Sequence, residues 1–475
     1  MSTSDTLKPL LHHLQIPSDY ARYDDIIDDS VLERLDEWKQ TADRVLSGIR
    51  SIIDYNASDL SIADQANIIA AAATFNGEGP WINEKSQKIS EDILHTFAHP
   101  EIPLLSHLLT QIIKPLFQSN PHPSLNVTTG RRLARPAGGH MASQDFYEGQ
   151  TWKASPGAPN LVSWCVRHVP REAYHDLWHL IIPPVMAFLD DYAARYRLCG
   201  AQIVSEMLKN VPKELLRRTG VDGLIRTSLS TCLTHLQHPE TTQLIQAAVS
   251  ASLSLTLLTT DVGSSDRFDQ LCALLGDGII SGIWLYAYEK PDVILASVNT
   301  LPPVLRALGI GGARYLKALV PQLLHPLQHT PTNPSAPELQ ISSLRSLSVL
   351  IEECSPCLPR WKTTIVDAAA RCWVQLKDSG SNDPDSELVQ TELRHMCELL
   401  GRHCSSVIEV RKPCGSLPLG SDNHSCGRSI EAFFHLTQKC SETCLTVARA
   451  VRTMKVCEWQ VRTNPGRAWV KETME

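Results

Sequence analysis

Four short patterns in this chain combine residue types that can do chemistry. His175-Asp-Leu-Trp-His179 sets two imidazoles four residues apart, the spacing at which one helix face offers two nitrogens to a metal ion. The glutamate that serves as base in zinc sites of that pattern is absent, so helix-surface or capping histidines are expected. Cys354-Ser-Pro-Cys357 has dithiol spacing, but a single CxxC with no second pair and no βαβ context predicts a turn at a helix start. Asp190-Asp191 has the make-up of a catalytic carboxylate pair. At a helix–helix turn with Arg197 following, the two are expected instead to cap the next helix, within reach of that guanidinium. Gly309-Ile-Gly311-Gly312 lacks the preceding strand and the third spaced glycine of a dinucleotide loop, and reads as a turn between helices. Neither a phosphate-binding loop of the GxxxxGKS/T type nor a GxSxG nucleophile elbow occurs. The expectation is a chain that is not an enzyme, with no catalytic residue, no cofactor and no metal.

The elements that carry these patterns read as helices almost throughout. The 475 residues include 60 leucines but only 6% aromatics, a composition that favours helix-on-helix packing over β-sandwiches. From Val221, apolar residues recur at Leu224, Ile225, Leu229, Cys232, Leu233 and Leu236, one face of a helix. The same period marks 31–54, 62–74, 85–97, 100–118, 173–189, 193–209, 240–259, 264–289, 291–307, 316–327, 338–353, 360–377 and 386–402. Pro183-Pro184 and Pro321 are expected to kink their helices. No stretch alternates with period two, so strands are not expected. The fold class is all-α: an α-solenoid of HEAT-like antiparallel helix pairs.

Breaks in the pattern divide the chain. An N-terminal helical region spans 1–118. Between Ser119 and Asn160 ten prolines and glycines rule out sustained helix, giving an irregular loop at 119–160. A central repeat block follows at 161–329, a Pro-rich hinge at 330–337, and C-terminal helical repeats at 338–410. Residues 411–475 form an atypical Cys-rich tail: seven of the 14 cysteines lie between Cys397 and Cys457. No paired CxxC spacing supports zinc there. Cys165, Cys199, Cys232 and Cys272 are far apart and read as small buried hydrophobes of a reducing compartment.

Charge and targeting narrow the function classes. The net charge of −7 argues against a dedicated nucleic-acid surface. Arg131, Arg132 and Arg135 make a small basic cluster in the long loop, and Asp24, Asp25, Asp28 and Asp29 an acidic one; both read as solvated. The N-terminus lacks the basic and apolar regions of a signal peptide. The uncharged run Thr241–Thr260 is half Ser, Thr and Gln, and reads as a buried helix rather than a membrane span. A soluble intracellular protein is expected.

One segment carries a resemblance. Pro183, Asp191 and Arg197 stand at the spacing of the proline, aspartate and basic positions of a HEAT repeat, and helix pairs recur near 173, 213, 264 and 313. Beyond that skeleton, His179-Leu-Ile-Ile-Pro-Pro-Val-Met-Ala-Phe-Leu-Asp-Asp191, Tyr196-Arg-Leu-Cys-Gly200 and Leu215-Leu-Arg-Arg-Thr-Gly220 together resemble the core of the Tel-two-interacting protein two family. Trp152-Lys153 and Trp164-Cys165 sit where that family places a Trp-Lys pair and a second Trp. The motif residues, with structural roles expected, are Trp152, Trp164, Trp178, Pro183, Pro184, Asp190, Asp191, Arg197, Gly200, Thr219 and Gly220. The resemblance implies a non-enzymatic subunit of a co-chaperone complex with Tel-two and Tti-one partners. Through the Hsp-ninety chaperone and its adaptor, that complex supports maturation of phosphatidylinositol-kinase-like kinases in the cytoplasm and nucleus, without direct contact with nucleic acid or membrane. A HEAT-repeat transport or trafficking adaptor is the competing class.

Overall fold

Leu-rich amphipathic segments bounded by polar caps fold as the period suggests. In the computed structural model, which describes residues 3–56, 60–138, 146–328, 336–378 and 383–404, helices dominate. Ser61 accepts from Asp64 N at the start of the helix Ile62–Ala73. Asn83 and Ser86 form a reciprocal capping box on Glu84–His95, and Asp383 accepts from Ser386 N on Pro384–His403. The architecture is an all-α, HEAT-like solenoid. The expected Cys-rich tail, 411–475, lies outside the described residues.

Cα packing divides the described residues into two compact units, those up to Gln270 and those from Leu271 onward. In the first, Tyr174–Leu189 packs antiparallel to Ala194–Asn210, which is in turn backed by Thr241–Thr259 and Val221–Cys232. In the second, Pro337–Glu353 packs against Pro384–His403, Pro291–Asn299 and Leu301–Leu308. Among the described residues Thr241–Thr259 is the one helix long and apolar enough to cross a membrane, and Leu244, Ile245, Ala248 and Leu255 on it are fully buried in the first unit.

The departures from expectation have local causes. Helices also form at Thr3–His13 and Ala158–His168, while Lys213–Thr219 opens the pair expected near 213. The second begins inside the Pro/Gly-rich stretch because Pro159 falls in its first turn, where a missing N–H leaves nothing unpaired. The expected helix 291–307 divides at Thr300. Pro183-Pro184 and Pro321, the positions where kinks are expected, lie inside Tyr174–Leu189 and Leu316–Leu324. Two runs, Leu108–Ile113 and Ala273–Trp284, wind as π-helix. Against the expectation of no strand, Leu125–Asn126 pairs antiparallel with Arg131–Arg132. Asn126 Oδ1 accepts from Thr128 N, Thr128 Oγ1 and Thr129 N, and Gly130 takes φ +62°, which closes the turn.

Candidate interaction site

The motif residues meet where the long loop is fastened onto the turn between Tyr174–Leu189 and Ala194–Asn210. Trp152 sits in a single 3₁₀ turn, Thr151–Ala154, and is 1% exposed. Its ring stacks on Phe117 and meets Phe188 and Tyr196 edge-on, at centroid distances of 4.9 and 4.7 Å. Its Nε1–H donates to Gln150 Oε1 at 2.8 Å, so the indole is both packed and satisfied.

The next residue makes the ion pair that closes the site. Lys153 Nζ lies 2.6 Å from Asp191 Oδ2, and neither atom has another hydrogen-bond partner. The ammonium is enclosed by the Tyr192, Trp152 and Tyr196 rings at 4.1, 5.5 and 5.8 Å. Asp191 Oδ1 accepts from Ala193 N at 2.9 Å. Its neighbour Asp190 takes His122, with Nε2 2.8 Å from Oδ2. His122 Nδ1 accepts from Ser124 N, which places the proton on Nε2 and makes that nitrogen the donor to the carboxylate.

This geometry corrects two expectations. Ala194–Asn210 has no side-chain cap on its first turn: Asp190 is the C-cap residue of the preceding helix and turns to His122, while Asp191 divides its oxygens between Ala193 N, just before the helix, and Lys153 of the loop. Arg197 does not pair with them either. It is 5% exposed and donates to the backbone carbonyls of Leu189 at 3.1 Å and Asp190 at 3.5 Å, satisfying the open end of the helix before it. A guanidinium facing carbonyls ties the two helices together without needing a carboxylate.

The remaining motif residues are distributed around this turn. A Cβ on Gly200 would stand 2.5 Å from Leu189 N and 2.6 Å from Leu189 Cα, so the two helix backbones approach as closely as a missing side chain permits. Trp178 Nε1 donates to Gly130 O at 2.9 Å and pins the hairpin onto the first helix of the pair. Trp164 is buried on Ala158–His168 and stacks on His168 at 4.2 Å. Pro184 is buried and Pro183 half-buried within Tyr174–Leu189. Thr219 Oγ1 donates to Leu215 O, and Gly220, at φ +69°, links Lys213–Thr219 to Val221–Cys232. Trp164, Thr219 and Gly220 therefore stand apart from the fastened turn.

Sequence reasoning missed His122, Gly130 and Tyr192, and it quoted Tyr196 within the resembling segment without singling it out. Their signals were faint: Pro121-His-Pro123 in a loop, and Tyr192 directly after the two aspartates. A cleft of about 690 Å³ opens beside the turn, lined by Ser18–Ile26 on one side and by Lys153, Tyr192, Arg195 and Tyr196 on the other.

Burial pushes the thiols of Cys165 and Cys199 up to about 12 and that of Cys232 up to about 11, so they behave as neutral apolar groups. Burial also raises Tyr196 and Tyr147 above the usual phenol range. His175, of the imidazole pair, takes a contact from Arg218 at 3.3 Å on its Nδ1. Among the described residues no group of three or more His, Cys, Asp or Glu is gathered for a metal ion. Cys354-Ser-Pro-Cys357 follows the helix Pro337–Glu353 as a 3₁₀ turn instead of starting one, with Cys354 buried and Cys357 exposed. Gly309–Tyr315 is a 3₁₀ turn between helices.

The sequence model of the Tti2 family matches residues 68–334, more than half of the chain and the whole of the fastened turn. TELO2-interacting protein 2 of Rattus norvegicus is 23% identical over 294 residues, covering 59% of this chain and 55% of that protein. The protein of the same name from Mus musculus is 23% identical over 268 residues, covering 54% of this chain and 49% of its own length. The chain thus spans about half the length of the curated relatives it matches. Among solved structures, a chain from a structure of Kap95p binding to RanGDP aligns with TM-score 0.51 at 13% identity. That alignment covers 90% of this chain and 48% of the other, and shows a shared fold.

Proposed function

The chain belongs to the Tti2 family, and from that premise we propose that it is a non-enzymatic scaffold subunit of a co-chaperone complex. Its partners in this reading are a Tel-two subunit and a Tti-one subunit. The complex supports Hsp-ninety-dependent maturation and stability of phosphatidylinositol-kinase-like kinases, in the cytoplasm and the nucleus. The observation that carries the reading is the family match across 68–334, and the relatives' names, which state an interaction with TELO2, support it.

The site is consistent with such a role in physical terms. Its ionisable groups are spent on one another and on backbone, which leaves a rigid turn that positions surfaces instead of a reactive group. Solenoids bind through extended faces whose shape depends on how each helix pair is held. The likeness to the Kap95p chain concerns fold alone and lends no weight to a transport role.

A tagged copy should retrieve Tel-two and Tti-one subunits without added nucleotide. Conditional depletion should lower the amounts of several of the kinases while their messenger levels hold, and imaging should show the tag in both compartments. Normal kinase levels after complete depletion would refute the co-chaperone reading.

A further inference from the structure

In a chain whose carboxylates outnumber its Lys and Arg, 51 to 44, arginines gather around one hairpin and one helix start. Arg131 and Arg132 form the second strand of the hairpin, and both are exposed. Arg132 lies over the beginning of Val221–Cys232: its NH1 is 3.1 Å from where a Cβ on Gly223 would stand, and its Cβ 3.4 Å from one on Gly220. Arg217 and Arg218, exposed in the last turn of Lys213–Thr219, lead directly into Gly220. Arg226, three residues beyond Gly223 on the same helix face, has a buried Nε without a hydrogen-bond partner.

Among the described residues these five guanidiniums have no carboxylate partner, although Glu214 and Asp222 lie on the same helices. The one side-chain contact among them is between Arg218 and the imidazole of His175. Val221–Cys232 starts under Arg132 at Gly220, where no side chain caps it, and Lys213–Thr219 ends at the same residue, so the field at this point comes from the arginines themselves.

We propose that this patch is the docking surface for an acidic segment of a partner chain. The inference rests on the reading that the chain acts through partners, and it names the chemistry one of them presents. Charge complementarity commits the occupant: arginine forks match carboxylates two bonds at a time, and unpaired guanidiniums are free to make those bonds. A nucleic acid fits less well. No large apolar or aromatic side chain is exposed among residues 125–135 or 213–232 for bases to stack on.

The test uses the purified full chain and fluorescein-labelled hexaglutamate, with a Gly-Ser hexamer and a short single-stranded oligonucleotide alongside. Hexaglutamate should bind in a salt-sensitive way and the Gly-Ser peptide should not. Arg131→Glu with Arg132→Glu should weaken hexaglutamate binding about tenfold, and so should Arg217→Glu with Arg218→Glu, each at an unchanged melting temperature. The second pair is fully on the surface, so it remains informative if reversing Arg132 disturbs the hairpin. Equal affinity in both reversed variants overturns the proposal, and so does binding of the oligonucleotide in place of hexaglutamate. Retrieval of the Tel-two and Tti-one subunits separates the two layers. If the unaltered chain and both variants retrieve them equally, the patch falls and the partner reading stands. If the unaltered chain retrieves neither, the partner reading falls, while hexaglutamate still reports on the patch.

Discussion

Lys153 Nζ and Asp191 Oδ2 stand 2.6 Å apart beneath the Tyr192 ring, and through this pair a loop residue holds the turn of a helix pair. Asp191 is 1% exposed, so removing either partner leaves the other charge in a place water barely reaches. Asp191→Ala should destabilise the chain by about 3 kcal/mol, more than the loss of an exposed ion pair, because it strands the ammonium and frees Ala193 N–H as well. Lys153→Met combined with Asp191→Leu should recover much of that loss. Denaturant unfolding of the singles and the double checks this, and strictly additive losses would show that the two charges do not interact.

Gly200 admits no side chain. Its substituent would meet the backbone of Leu189, which cannot move aside as a flexible side chain could. Gly200→Leu should destabilise by about 1–3 kcal/mol or more, and Gly200→Ala by a smaller amount in the same direction. Thermal unfolding reads both, and an unchanged melting temperature for Gly200→Leu would contradict the close approach.

Trp178→Phe keeps most of the buried ring but removes the donor to Gly130 O. The stranded carbonyl should cost about 1–3 kcal/mol locally. Amide exchange should quicken at Leu125–Arg132 while protection within Ala194–Asn210 stays as it was. Equal loosening of both would mean that the indole supports the helix pair, not the hairpin.

Burial holds His168 and His235 below the usual histidine range, and Arg197 adds to the effect on His235. The unfolded chain titrates at about 6.5. Just below that pH the unfolded state binds more protons than the native one, so the stability these groups contribute is present above about pH 6.5 and is lost as the pH falls. The melting temperature should drop between about pH 7 and pH 5.5, and His168→Gln with His235→Gln should flatten that slope. An unaltered slope would assign the acid sensitivity to other groups.

Helix positions were legible because each apolar stripe repeats at the helical period. The turn Asp190-Asp191 was legible as a turn for the same reason. What its carboxylates hold was not, since His122 and Lys153 belong to a loop whose prolines and glycines mask any period. The expected caps failed because a short carboxylate at such a turn has two options, the next helix or a cation arriving from elsewhere in the chain. Local spacing describes only the first. Arg197 shows the same limit from the other side: a basic residue at HEAT spacing was expected to meet acids, and it meets carbonyls. The hairpin was missed because two paired residues per strand are too few to alternate.

The His122–Asp190 contact joins residues 68 apart in sequence, while the two helices it fastens follow one another directly. Closing so long a segment is entropically costly until its destination exists, so the helix pair is expected to assemble first and the loop to fasten onto it late. Fastening late separates the two rates. Weakening His122, Lys153 or Asp191 should leave refolding nearly as fast as before and shorten the lifetime of the native state instead. On that order of events the loop is expected to act as a kinetic lock on the first unit, its contacts governing how long the assembled turn persists more than how quickly it forms.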